Sequence, residues 1–262
     1  MTKLLPCIAI LMTAAAPLHA ESLFTGTWKG DMKASQPSTK PSVILLKDGT
    51  FTCSTCKPVI TVAADGAFHA VKGNPYFDEM MVQVVDPATV KRSTRKAGKV
   101  MGESTVTISA DGKTMINSFK DTSADNGVAV TGTGVNTRVA AGPAGAHAMS
   151  GSWRQTTDGQ VSENGMIFTM AQDGKTVKYS TPTGVSYVAV IGGPAGKVVG
   201  DPGWTSAALK QPKPDTLVET DMHDGKTVAI YTMKVSPDGR TMMVDVNDVK
   251  FGTTAHYVAR KQ

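Results

Sequence analysis

The amino-acid sequence predicts an all-β protein, built as two tandem up-and-down antiparallel β-barrels that follow an N-terminal signal helix. Three observations support this fold class: an internal repeat, many turn-forming Asp-Gly dipeptides, and segments in which apolar and polar residues alternate. Alternation with a period of two places one set of side chains on the buried face of a strand. Met242, Val244 and Val246 share one face in this way.

The repeat is visible as short motifs that recur in both halves of the chain. Gly26-Thr27-Trp28-Lys29 recurs as Gly151-Ser152-Trp153-Arg154, at an offset of 125 residues. The motif at 109–115 recurs at 236–242, at an offset of 127, so one two-residue indel reconciles the two registers. A repeat of about 120 residues indicates two structural units, whereas the blades of a propeller repeat at about 40–50 residues.

Residues 1–20 have the pattern of a secretion signal. Lys3 supplies a positive charge, residues 4–17 are apolar, and Leu18-His19-Ala20 provides a small-residue cleavage site. The apolar run is too short for a permanent membrane span, and no later segment reaches that length. We therefore expect a signal peptide at 1–20 and a soluble mature protein that is periplasmic or secreted, with no lipid anchor.

The remaining chain divides into a first barrel at 21–139, a linker at 140–148 and a second barrel at 149–262. The linker reads Ala-Ala-Gly-Pro-Ala-Gly-Ala-His-Ala, which has no pattern able to pack as a strand or a helix. Asp-Gly occurs seven times and Asn-Gly twice, and both dipeptides favour tight hairpin turns. We expect about eight to ten strands in each unit, closed into a barrel because an open meander would expose two sheet edges.

Each copy begins with a Gly-x-Trp strand and ends in a strand that carries an arginine. The tryptophans are Trp28 and Trp153, and the arginines are Arg138 and Arg260. This pattern resembles that of the lipocalin and fatty-acid-binding (calycin) barrels. The resemblance implies that Trp28 packs beneath Arg138 and Trp153 beneath Arg260, which closes one end of each barrel below an apolar cup for one small hydrophobic molecule. Independently of the family, a large indole at the same place in both copies predicts a core plug.

Cys53 and Cys56 are the only cysteine pair after the signal segment. Residues i and i+3 of a β-turn bring their Cα atoms within about 7 Å, close enough for a disulfide. In an oxidising compartment we expect this disulfide to form and to staple one turn. Thiol exchange is the alternative, but a reactive thiol needs a helix N-terminus or neighbouring cations, and Lys57 is the only adjacent cation.

Cations are concentrated on one predicted hairpin of the first copy. They are Lys91, Arg92, Arg95, Lys96 and Lys99. The same places in the second copy include Glu219 and His223, so the charge of this hairpin differs between the copies. The basic hairpin suggests an anionic envelope component as a partner, and a solvated hairpin with drifting charges is the alternative.

Several function classes are disfavoured by the sequence. The net charge of +5 is too mild for a nucleic-acid binder. No Gly-x-Ser-x-Gly, His-Glu-x-x-His or phosphate-binding glycine loop is present, so no catalytic residue is predicted. The histidines lack metal-ligand spacing and the methionines alternate on strands as core residues do, so neither a metal nor a cofactor is expected.

The leading hypothesis is an exported binding protein in which one or both barrels hold a small apolar ligand. Candidate ligand contacts come from predicted inward faces: Tyr231, Met233, Met242 and Val244. One alternative is an envelope interaction or structural module that works through the basic hairpin. The other is a thiol-redox protein that uses Cys53 and Cys56.

Overall fold

The computed structural model describes residues 22–124 and 126–262, and within them the chain is all-β, which confirms the predicted fold class. A single turn of 3-10 helix, Glu163–Gly165, is the only helical element in this part of the chain. The predicted signal peptide and signal helix at 1–20 lie outside the described residues. Nowhere in the described ranges does a helix have the length and hydropathy needed to cross a membrane.

The strands follow one another closely along both halves of the chain. Those of the first half are β1 (Gly26–Gly30), β2 (Ser42–Lys47), β3 (Thr50–Cys53), β4 (Ile60–Ala63), β5 (Asp65–Ala70), β6 (Glu79–Asp86), β7 (Thr89–Lys96), β8 (Lys99–Ile108), β9 (Thr114–Asp121) and β10 (Val130–Ala141). Those of the second half are β11 (Gly151–Gln155), β12 (Gln160–Val161), β13 (Ile167–Asp173), β14 (Thr176–Ser180), β15 (Ser186–Val190), β16 (Gly196–Val199), β17 (Ser206–Lys213), β18 (Thr216–His223), β19 (Lys226–Val235), β20 (Thr241–Asp248) and β21 (Thr253–Lys261).

These strands form two barrel-like sheets. The first barrel, as we call it, has the order β4-β3-β2-β11-β10-β9-β8-β7-β6-β5, with β12 added beside β10, so β4 and β5 are its edge strands. The second barrel has the order β1-β13-β14-β15-β16-β17-β18-β19-β20-β21 and is closed by pairing of β21 with β1. Its ten strands agree with the predicted number.

The assignment of each repeat to its own barrel is wrong at the first strand of each copy. Strand β1 pairs with β13 and β21 of the second barrel, whereas β11 pairs with β10 and β2 of the first barrel. The predicted domains at 21–139 and 149–262 therefore exchange their Gly-x-Trp strands. The first barrel is built from the continuous segment 42–155, inserted between the first and second strands of the second barrel.

The segment predicted as a linker explains this exchange. Residues 140 and 141 belong to β10, and the chain then turns back directly into β11, so the last strand of one copy and the first strand of the next become antiparallel neighbours. The backbone N–H of His147 donates to the carbonyl of Leu46 at 2.9 Å, and Met149 is fully buried in the core of the first barrel. The 140–148 segment is thus a packed connection, not the unpatterned linker that the sequence predicts.

Several predicted turns are confirmed by backbone geometry. Asp48-Gly49 and Asp224-Gly225 both have positive φ at both residues and join β2 to β3 and β18 to β19. Asp and Gly tolerate this left-handed conformation, which matches the twist of paired strands. Asp65-Gly66 is an exception, because it lies within β5 at an irregularity in the pairing with β6.

The two barrels contact each other through equivalent loops of the repeat. Tyr76 lies in the loop between β5 and β6, and Gly203, 127 residues further along, lies in the corresponding loop between β16 and β17. The Tyr76 hydroxyl donates to Asp201 Oδ1 at 3.1 Å, and its ring lies where a side chain at position 203 would stand. The ring of Tyr76 therefore fills the space that is left because its counterpart in the second copy, Gly203, has no side chain.

Candidate binding site

The tryptophan of each Gly-x-Trp motif is a buried plug. Trp28 is 0% exposed and Trp153 is 1% exposed. Each indole N–H donates at 2.9 Å to the carbonyl four residues earlier, which is Phe24 in one copy and Met149 in the other. Identical bonding in both copies confirms the predicted core role of the two rings.

The predicted pairing of tryptophans with arginines requires correction. Arg138 lies over the ring of Trp153, with its guanidinium carbon 4.0 Å from the ring centre, and Lys261 lies over Trp28, with Nζ at 5.4 Å. Arg260 is exposed and donates to Asp31 and Thr241. Arg138 covers Trp153 because the strand exchange makes β10 and β11 neighbours. Lys261 covers Trp28 because these two residues are paired in the register of β1 and β21.

Arg138 is held over Trp153 by hydrogen bonding as well as by stacking. Its guanidinium donates to the carbonyls of Ser150 and Ala148, each at 2.6 Å, and to that of Gly112. A guanidinium is suited to this task because its planar fork stacks on an indole while its edge donates hydrogen bonds. The end of β10, the start of β11 and the connection between them are thus held together around one guanidinium.

A cavity of about 550 Å³ lies inside the first barrel. This volume falls within the range of about 300–1,000 Å³ that is usual for small-molecule sites. Apolar side chains make up much of its wall, among them Ile44, Phe51, Ile60, Phe77, Met80, Met101 and Phe119. Phe251, from the loop between β20 and β21 of the second barrel, also lines it.

Arg92 is one of the charged residues that line this cavity, and the others are Lys57, Glu103, Lys120 and Asp121. It lies on the inward face of β7, where its Nε donates to Ser104 Oγ at 3.2 Å and its Nη2 donates to Asn117 Oδ1 at 2.9 Å. Among the described residues, no carboxylate oxygen lies within 4.0 Å of its guanidinium. Burial lowers the pKa of Arg92 to about 10, so the side chain still carries its positive charge at neutral pH.

The predicted disulfide is present in the wall of the same cavity. Cys53 and Cys56 are joined, with their Cα atoms 5.4 Å apart, and Cys53 is 6% exposed. Both sulfur-bearing residues line the cavity beside Ile60 and Phe51. The staple therefore shapes the interior of the first barrel, and its use in thiol exchange stays an untested alternative.

The second barrel carries acids where the first carries Arg92. Glu219 and Asp221 occupy the positions that correspond to Arg92 and Thr94 at the offset of 127, on the inward face of β18, and each is 6% exposed. The hydroxyl of Tyr187 donates to Glu219 Oε2 at 2.6 Å. Burial raises the pKa of both carboxyl groups, that of Asp221 to about 9.

The four predicted ligand contacts all belong to the second barrel. Met233 and Met242 are buried in its core, whereas Tyr231 and Val244 are partly exposed and pack against that core. Their inward orientation agrees with the alternation in sequence, but the 550 Å³ cavity lies in the other barrel and is lined by other residues. Contact of these four residues with a ligand stays a prediction.

The five cations of the predicted basic hairpin do not form one surface. Arg92 points into the cavity, Arg95 lies 3.5 Å over the ring of Phe68, and the Lys96 ammonium donates to the carbonyl of Pro75. Lys91 and Lys99 are exposed. The grouping is wrong because neighbouring residues of a strand point to opposite faces, and an envelope partner stays a prediction for the exposed pair alone.

Sequence reasoning missed Arg92, Glu219 and Asp221 as interior groups. The signal that identifies them is the alternation itself, since Arg92 stands two residues from buried Val90, and Glu219 stands two residues from buried Leu217. Within the described residues there is no cluster of three or more His, Cys, Asp or Glu side chains that could hold a metal ion.

The fold and the cavity together define a tandem β-barrel protein with strands exchanged between its barrels and an ionisable group inside each. No protein-family model and no curated protein sequence matches this chain.

Proposed function

We propose that this is an exported binding protein whose first barrel holds a small apolar molecule with an anionic group, such as a carboxylate. The observation that carries the proposal is a cavity of about 550 Å³ with Arg92 inside it and no acidic partner for Arg92 among the described residues. The cavity accounts for both parts of the ligand, since Arg92 suits the anionic group and the mainly apolar walls suit the apolar body.

The anionic group follows from the state of Arg92. A charge that is removed from water is unfavourable unless an opposite charge or several hydrogen bonds compensate it. Ser104 and Asn117 accept two bonds but bring no negative charge. Most donors of the guanidinium fork are left for a ligand, and a carboxylate matches that fork with two parallel bonds.

The apolar body follows from the walls. Phe51, Phe77 and Phe119 line the cavity together with Met80 and Met101. Burying an aliphatic or aromatic ligand against them removes apolar surface from water at about 25 cal/mol per Å². Methionine side chains are flexible enough to adapt to ligands of different shape.

Export is part of the proposal. The pattern at 1–20 is that of a signal peptide, and the Cys53–Cys56 disulfide suits an oxidising compartment. The likeness to lipocalin and fatty-acid-binding barrels adds support, since Arg138 stacks on Trp153 in the core of a barrel that also holds a cavity.

Binding of decanoate compared with 1-decanol, by isothermal titration calorimetry, tests the proposal. We expect decanoate to bind more tightly, and Arg92→Met to weaken decanoate by at least about ten-fold, because a hydrogen bond to a charged group contributes about 1.5–3 kcal/mol. Binding of 1-decanol should be nearly unchanged in the same variant. Lys91→Met, which removes the neighbouring exposed cation, is the matched control and should bind decanoate as the wild type does.

Equal binding of acid and alcohol, or retention of decanoate affinity in Arg92→Met, would contradict the proposal. Native mass spectrometry of the protein purified from its own host gives an independent readout. We expect a co-purified small anion that is lost from Arg92→Met, and a ligand-free first barrel in wild-type protein would count against the idea.

A further inference from the structure

The interior of the second barrel holds two carboxyl groups on one strand. Glu219 and Asp221 stand two residues apart on β18, so both point inward, and each is 6% exposed. Within the described residues, no Lys, Arg or His nitrogen lies within 4.0 Å of either carboxylate. Two buried acids therefore share one small space without a counter-ion from the chain.

One atom of this pair has no partner at all. Asp221 Oδ1 is buried and accepts no hydrogen bond from any described group. Glu219, in contrast, accepts the hydroxyl of Tyr187 at 2.6 Å. Glu219 and Asp221 also hydrogen-bond each other. Buried polar atoms in folded proteins are nearly always bonded, so the unpaired Asp221 Oδ1 is an acceptor inside the barrel that a ligand can use.

Aromatic rings surround the two acids. Tyr179 stacks on Tyr187 with ring centres 5.2 Å apart, and Trp204 meets both rings edge-on at 5.9 and 5.6 Å. Tyr231 is the cross-strand neighbour of Glu219. Aromatic rings attract cations through their electron-rich faces, and this attraction is stronger where water is excluded.

This end of the barrel is reachable from solvent. Tyr179, Trp204, Tyr231 and Val244 belong to the interior of the second barrel and yet are partly exposed. The corresponding position in the first copy, Arg92, lines a cavity of about 550 Å³. Glu219 and Asp221 therefore occupy repeat positions that line a cavity in the first barrel, and they place acidic groups where the first barrel has the basic Arg92.

We propose that the second barrel binds an organic cation, a protonated amine that carries an apolar or aromatic group, with its ammonium between Glu219 and Asp221 and its apolar part against Tyr179, Trp204 and Tyr231. An organic cation fits this site better than a metal ion, because the described residues offer no group of three or more metal-ligating side chains. The site is separate from the one proposed in the first barrel and does not depend on it.

Binding of the amine is coupled to proton release. Burial raises the pKa of Asp221 to about 9, so this carboxyl is protonated at neutral pH until a cation arrives. The ammonium favours the ionised carboxylate, so one proton leaves as the amine binds, and affinity increases as pH rises from 6 towards 8. The titratable groups that interact with Glu219 and Asp221 from neighbouring elements are Tyr179, Tyr187, Asp201 and Tyr231.

The test compares benzylamine with benzyl alcohol, which has similar size but no charge, by calorimetry on wild-type protein. We expect benzylamine to bind at least about ten-fold more tightly at pH 7.5, and to release about one proton when the titration is repeated in buffers of different ionisation enthalpy. Equal affinities, no binding of either compound, or binding without proton release would each overturn the proposal.

A variant localises the effect. Asp221→Asn keeps the size of the side chain and should remove both the preference for the amine and the proton release. Asp245→Asn removes an exposed carboxylate on β20 of the same barrel and should retain both. Preference that persists in Asp221→Asn, or that disappears equally in Asp245→Asn, would contradict the assignment to the interior of the barrel.

Discussion

The two barrels contain the two copies of one repeated sequence and yet carry different ionisable groups at the same interior position, a base in one and an acid in the other. In the first barrel, Arg92 bonds to its cross-strand neighbour Ser104 and to Asn117. In the second barrel, the corresponding cross-strand pair is Glu219 and Tyr231. The strand framework is shared while the inward polar residues differ, so the repeat preserves the barrel and not the chemistry within it.

The closing plugs show the complementary behaviour. Trp28 and Trp153 keep the same burial and the same bond to the carbonyl four residues earlier. Only the covering cation differs, Lys261 in one barrel and Arg138 in the other. The two tryptophans therefore keep the same structural role in both barrels, whereas the inward polar residues distinguish the two interiors.

The largest expected effect separates the barrels through their exchanged plugs. Trp28→Ala and Trp153→Ala should each lower the free energy of unfolding by about 3–5 kcal/mol, because each leaves a large cavity in a core. Because β1 belongs to the second barrel, Trp28→Ala should reduce hydrogen-exchange protection in β13 and β21, while Trp153→Ala should act on β2 and β10. Loss of protection in β2 and β10 for Trp28→Ala, or in β13 and β21 for Trp153→Ala, would refute the strand exchange.

A smaller effect concerns the buried acids. The pKa of Asp221 is raised from 3.8 to about 9 on folding, so the carboxyl is neutral in the folded protein and ionised in the unfolded chain between these values. Its burial therefore destabilises the second barrel progressively as pH rises from about 4 to about 9. Asp221→Asn should stabilise this barrel by several kcal/mol at pH 8, since each unit of a pKa shift corresponds to about 1.4 kcal/mol, and should leave it unchanged at pH 3.

Thermal and urea unfolding across this pH range measures the difference. Arg92 provides the contrast in the first barrel, since its pKa of about 10 leaves it charged throughout the same window. A pH dependence of stability that is the same in wild type and in Asp221→Asn would show that this carboxyl does not titrate as described.

The smallest expected effect concerns the disulfide, which has no counterpart in the second barrel. Replacing Cys53 and Cys56 together by Ala should lower stability by about 2 kcal/mol, because the loop that they close is short. The loss should be confined to the first barrel and should weaken decanoate binding, since both residues line the cavity. Urea unfolding monitored by hydrogen exchange distinguishes a local loss from a global one.

Much of the strand framework could be predicted from sequence, because it depends on local signals. Alternation and Asp-Gly turns identify hairpins such as β18–β19, and the spacing of Cys53 and Cys56 identifies their disulfide. Which barrel receives β1 could not be predicted, since both copies begin with the same motif and either sheet offers it an edge. The close sequence distance between Arg138 and Trp153, with one packed turn between them, is the feature that decides it.

The interior ionisable residues also follow from the alternation, but only when residues are grouped by the face of the strand on which they lie. Grouping them by proximity in sequence gives a different result. Proximity in sequence predicts that Arg92 and Lys91 form one basic surface, whereas adjacent residues of a strand point in opposite directions. The carboxyls of Glu219 and Asp221 were hidden for a different reason. Acids on a strand ordinarily face water, and only the position of buried Leu217 on the same face shows that these two face inward.

The insertion of one barrel within the other sets an order for biogenesis. Strand β1 is among the earliest parts of the described chain to be synthesised, but its partners β13 and β21 follow the whole first barrel, and β21 ends one residue before the C-terminus of this chain. The first barrel has all its strands once β12 has been synthesised, whereas β1 gains its first partner, β13, only after that point and its second partner, β21, later still. Ring closure of the second barrel therefore joins two strands, β1 and β21, that the whole first barrel separates along the chain.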